Sequence, residues 1–181
     1  MIEKQIEKNK MLTKKIALAS CLIALGVVIA PFLWFPFLYT KCYPGQHLIN
    51  VLAGILLGPH WAALIATIIG IIRISLHIGS IYAFPGGIPG GVVVGLFNIL
   101  FKKLNIRNDI SALTEPLGTV FIGGTLSVYI VAPLAGHITM IGALLPIWFA
   151  FGISSIIGSI MGFTVIKVLD RVGILSRITY K

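Results

Sequence analysis

Seven side chains have the types and spacing of a small-molecule recognition site: Gln46, His47, Asn50, Arg73, His77, Tyr82 and Phe84. Amide, imidazole and guanidinium groups hydrogen-bond the polar groups of a ligand, and aromatic rings can stack on it or sit in an interfacial belt. His47 and Asn50, three apart, share one face of a helix, and Arg73 and His77, four apart, share another. Arg73 is the one basic residue in the middle of an apolar run. A central arginine costs about 2.5 to 3.5 kcal/mol to insert, so it must meet a partner or a cavity. Two roles stay open for it: a structural one, bonding loop carbonyls or snorkelling outward, or a functional one, ordering the outer loop and helping to hold a ligand.

Other chemistries are excluded. No Ser/His/Asp set and no HExxH motif is present, so no catalytic residue and no enzyme activity is expected. FPGGIPGGVVVG at 84–95 lacks the Lys-Ser/Thr of a phosphate-binding loop; its glycines read as a tightly turning outer loop, with Gly91 and Gly95 continuing into a packing face. His47 and His77 lack a neighbouring carboxylate, His60 and His137 fall in turns, and Cys21 and Cys42 lie at opposite ends of one span, so neither metal, cofactor nor disulfide is expected. Thr114, Glu115 and Pro116 read as an ordinary helix start, with Glu115 in the first turn. That reading leaves no buried carboxylate for a proton relay.

The elements that must hold these residues are membrane helices. Of 181 residues 57% are hydrophobic and 10% charged, against roughly 25% charged in soluble domains. Mean hydropathy is +1.03. Apolar runs near 16–38, 48–77, 84–101, 115–133 and 142–169 lack the alternation of barrel strands, so helices are expected. The run 48–77 is too long for one span, and Gly58-Pro59 can end one helix and begin the next. Charge decides for a hairpin there. With six spans, every basic residue of the 14 except Lys41 and Arg73 falls on the side of the termini, which the positive-inside rule makes cytoplasmic. Counting from the hairpin turn then puts Arg73 level with Gln46 and His47. The expectation is one all-α integral membrane domain over 1–181: a cytoplasmic segment 1–15, a six-helix bundle 16–169 and a cytoplasmic tail 170–181. Tyr39, Tyr43 and Tyr82 also suit an interfacial belt.

PGQHLINVLAGILLGPHWA at 44–62, Arg73 beyond it and AFPGGIPGGVVVGLF at 83–97 resemble the ThiW family, the thiazole-specific S components of energy-coupling-factor (ECF) transporters. The resemblance runs from about residue 13 to the end of the last span. It implies a six-helix S component in a prokaryotic plasma membrane that captures hydroxyethylthiazole, a thiamine precursor, from outside. It implies as partners a transmembrane coupling subunit and two cytoplasmic ATP-binding subunits. In such proteins small residues four apart on the first helix dock the coupling subunit, and here Ser20 and Ala24 match. Metal-importing relatives carry His directly after Met; Ile2 stands here instead. The alternatives are an S component for another vitamin or small heterocycle, or a stand-alone secondary transporter. The latter needs embedded ionisable residues or an inverted repeat, and neither is read in the sequence.

Overall fold

A computed structural model describes residues 1–38 and 40–175; Tyr39, Arg177 and Lys181 lie outside the described residues. The fold is mostly helical, with four helices long and apolar enough to cross a membrane: Ile2–Ile29, Ala83–Lys103, Asn108–Leu134 and Leu144–Arg171. This is a multi-pass membrane architecture.

Helix α1 spans Ile2–Ile29, and only its apolar half is packed, through Ala19, Leu22 and Gly26. The apolar run to residue 38 is therefore helix only in part. Past Ile29 the chain meets Pro31 and Pro36, which cannot supply helical N–H donors. It folds instead into a β-hairpin of β1, Phe35–Phe37, and β2, Thr40–Cys42, with Phe35 opposite Cys42.

Helix α2, Pro44–Leu56, and helix α3, Pro59–Ser75, are divided where the sequence predicted. Gly58 adopts φ 91°, a conformation that favours glycine, and Pro59 starts α3. With 13 residues α2 is about 20 Å long, some two turns short of the roughly 20 residues that cross a bilayer. Its start is sunk in the bundle. Pro44 and Gly45 are buried, and the Pro44 carbonyl and His47 Cβ stand where a Cβ on Gly158, midway along the last helix, would fall.

Helix α4, Ala83–Lys103, contains the whole of FPGGIPGGVVVG, which corrects its reading as an outer loop. Pro89 stands inside the helix, and the glycines serve close packing: Gly91 meets Ala62 and Asn50, and Gly95 meets the backbone of Pro59. The segment Asn108–Leu134 starts as a 3-10 helix over Asn108–Thr114 and continues in wide π-type turns over Leu117–Gly124 and Ser127–Val131. The extra residue per turn has a use. Gly118 and Gly123, five apart, keep step with the carbonyls of Pro89 and Pro85, four apart on α4.

Lys102 and Lys103 end α4, Arg171 ends the last helix and the lysines of α1 stand at its start, so these charges gather at one end of the bundle, the basic end. The β-hairpin and the connections 76–82 and 135–143 form the other, the hairpin end.

Candidate ligand-binding site

Because α2 is short, the space its missing turns would fill is left open at the hairpin end. A cavity of about 590 Å³ occupies it. The first turn of α2 makes the floor through Gln46 and His47, and Arg73 of α3 and Tyr82, Ala83 and Gly86 at the start of α4 make one wall. Pro146, Ile147, Ala150, Phe151 and Ser154 of the last helix make the opposite wall. Lys41, Cys42 and Tyr43 of the hairpin strand and its exit close over the top, with His137 and Met140 at the mouth.

Arg73 is 2% exposed. Its Nη1 donates to Gln46 Oε1 at 2.5 Å, and its guanidinium carbon lies 4.0 Å from the centre of the Tyr43 ring. Arginine only donates, so the Gln46 carbonyl must face it. The amide nitrogen of Gln46 then donates to the Ala83 carbonyl at 3.1 Å. Both ends of Gln46 are thus engaged by protein, and the residue positions Arg73. The Tyr43 hydroxyl donates to the Ile78 carbonyl at 3.0 Å and holds the connection after α3.

His77 leaves this constellation. Helix α3 stops at Ser75, and His77 turns into the left-handed region at φ 58°. Its N–H donates to Ile74 O and that of Ile78 to Arg73 O, a Schellman closure that leaves the His77 side chain exposed. The four-residue spacing counted from Arg73 fails because the helix does not reach it. Phe84 turns the other way, packing its ring against Gly70 of α3, outside the cavity lining. Tyr82 does line the cavity, with its hydroxyl 2.7 Å from His137 Nδ1 and 3.1 Å from Met140 Sδ. His137, read in the sequence as an ordinary turn residue, therefore stands at the mouth, its ring stacked on Tyr82 at 5.8 Å.

Asn50 lies one turn beneath the floor and belongs to a second polar centre. There Glu115 is fully buried, which overturns its reading as a helix-capping residue. The membrane segment begins at Asn108 rather than 115, so Glu115 is carried a full seven residues inside it. Its Oε1 accepts from Asn50 Nδ2 at 2.9 Å and Thr119 Oγ1 at 2.7 Å and lies 2.9 Å from His47 Nδ1; its Oε2 accepts from Ser155 Oγ. Gly90 of α4 has no side chain because the Glu115 carboxylate and the Thr119 hydroxyl occupy that volume. An ionised carboxylate only accepts, so the His47 proton toward it sits on Nδ1. The other ring nitrogen, Nε2, has no hydrogen-bond partner among the described residues, and the ring lines the cavity. His47 thus joins the two centres.

Ser20 and Ala24 are both exposed on α1. The small residues Ser154, Gly158 and Gly162 on the last helix form a close-packing face: Gly158 seats α2 at His47 and Gly162 seats it at Val51. Sequence reasoning gave Tyr43 only an interfacial-belt role and Ser154 only a packing role, and passed over Phe151 and the Glu115 partners Thr119 and Ser155. A solitary acid in the apolar stretch 110–134 was the signal available for Glu115.

The family model described as thiamine-precursor transporter protein (ThiW) matches residues 16–172, which is most of the chain. No curated protein and no solved structure gives a match.

Proposed function

The chain belongs to the ThiW family of thiamine-precursor transporters, and from that premise we propose that it is the substrate-binding S component of an ECF-type importer for hydroxyethylthiazole. In this reading it has six spans with both termini cytoplasmic in a prokaryotic plasma membrane, the short α2 and α3 serving as the second and third. The basic end then faces the cytoplasm and the cavity opens outward. The observation that carries the proposal is the cavity itself. Its volume of about 590 Å³ suits a small heterocycle. Its lining is mostly apolar, with Tyr43, Tyr82 and Phe151 for stacking, His47, Arg73 and Ser154 as convergent polar groups and Gln46 positioning Arg73. The chain supplies binding alone; a coupling subunit and two ATP-binding subunits supply the energy, docked through the exposed face around Ser20 and Ala24.

The purified chain tests this. Titration calorimetry with hydroxyethylthiazole is expected to show saturable binding, and no binding at micromolar ligand overturns the substrate assignment. Ala24→Trp, on an exposed face, is expected to abolish uptake by the assembled transporter while leaving binding intact. Loss of binding instead assigns that face to the fold.

One observation favours a second reading, a self-sufficient proton-coupled carrier: the buried Glu115 bonded to His47 at the cavity floor is the embedded ionisable pair such a carrier needs. Uptake by the chain alone in proteoliposomes under an imposed proton gradient would establish it.

A further inference from the structure

We propose that Arg73 is an anion subsite, so that the cavity selects a heterocycle bearing a carboxylate or phosphate group over the neutral compound. The inference rests on the reading of this cavity as the thiazole site.

A guanidinium has five N–H donors and a permanent charge. In Arg73 one donor is engaged, by Gln46, and the buried Nε has no partner. No carboxylate lies within ion-pair distance among the described residues, where the ion pairs are His47–Glu115 and Arg107–Asp109. The loop-bracing role would need carbonyl partners, yet the oxygen Arg73 bonds is a side-chain amide. The Tyr43 ring stabilises the cation without neutralising it. A charge this buried without a counter-ion is costly in low dielectric, and a ligand anion would remove that cost.

The surroundings share its sign. Lys41 also lines the cavity, and the lining contains no Asp or Glu. Gln46 and His47 belong to the first turn of the 13-residue helix α2, so the positive end of its dipole faces the same space. The nearest acid described, Glu115, lies below the floor with its oxygens already taken by Asn50, Thr119, Ser155 and His47. The unpartnered Nε lies on the side edge of the guanidinium, which together with Nη2 is the fork that pairs with two oxygens of a carboxylate or phosphate.

The test is competition on the purified full chain among hydroxyethylthiazole, its phosphate monoester and the corresponding thiazole acetic acid. At least one anion is expected to bind about tenfold tighter than the alcohol, with the gap narrowing at high salt. Which anion wins separates phosphate from carboxylate. Arg73→Gln is expected to erase the preference, so that neither anion binds tighter than the alcohol. If the wild-type chain binds the alcohol as tightly as both anions, the inference is overturned and the thiazole reading stands. Binding of none of the three overturns both. The wild-type comparison decides even if Arg73→Gln does not fold.

Discussion

Two buried charges are treated in opposite ways by this molecule. Glu115 is surrounded: four side chains from α2, its own segment and the last helix point donors at its two oxygens. Arg73 is left underpaired beside open space, with a side-chain amide and a ring for company. A saturated polar centre fixes the relative positions of the helices that build it, because losing any one member leaves the others unsatisfied. An unsaturated one keeps its bonding capacity for something that arrives. The difference separates a centre that organises the bundle from one that, in the function proposed above, is addressed to a ligand, and His47, bonded to the first and lining the cavity beside the second, is held in place by the organised side.

Substitutions at four positions can break or sharpen that contrast. The largest effect is expected for Glu115→Ala, which orphans Asn50, Thr119, Ser155 and the Nδ1 of His47 together. Thermal unfolding in detergent should show a loss of roughly 3 to 5 kcal/mol, and Glu115→Gln, which keeps one acceptor, should lose less. Stability equal to wild type would remove Glu115 as the organising centre. Next comes a pair of glycines one turn apart on α4. A methyl on Gly90 must displace Glu115 and Thr119, whereas on Gly86 it meets only the Phe151 ring, at 3.4 Å beside the cavity. Gly90→Ala should therefore cost about 1 to 3 kcal/mol, and Gly86→Ala no more than about 0.5 kcal/mol. Equal losses would mean that the two centres are packed alike. A small stability change is expected for Arg73→Met too, which replaces an underpaired buried charge by an apolar chain. Its unfolding free energy should fall within about 1 kcal/mol of wild type or above it. A loss as large as that of Glu115→Ala would show Arg73 to be a brace.

Much of the architecture was legible. The membrane class followed from composition, and the division of run 48–77 followed from Gly58-Pro59 together with the distribution of lysines and arginines. The depth match was legible too, since antiparallel helices rise equally per residue and Arg73 does meet Gln46. What failed was local at the ends of elements. His77 was assigned to a helix face that ends two residues earlier, and FPGG was given to a loop although Pro at the first turn of a helix is well tolerated. Glu115 was assigned to a cap because Thr-Glu-Pro is what a helix start looks like, whereas the segment had begun at Asn108 in 3-10 form. Hydropathy windows cannot see that start, since Asn108 and Asp109 are polar while the backbone around them is already helical.

By itself the amino-acid sequence determined that this chain lies in a membrane, where its long helices run, where they turn and which end carries the positive charge. These are properties of apolar runs, glycine-proline pairs and basic residues, each set by local free energies of transfer and backbone conformation. Only the tertiary structure decided that α2 falls short and leaves a cavity, that Gln46 is engaged on both sides, and that Glu115 rather than Arg73 is the satisfied charge. Those outcomes depend on which donors from distant segments converge on one carboxylate, and no spacing within a single segment encodes that convergence.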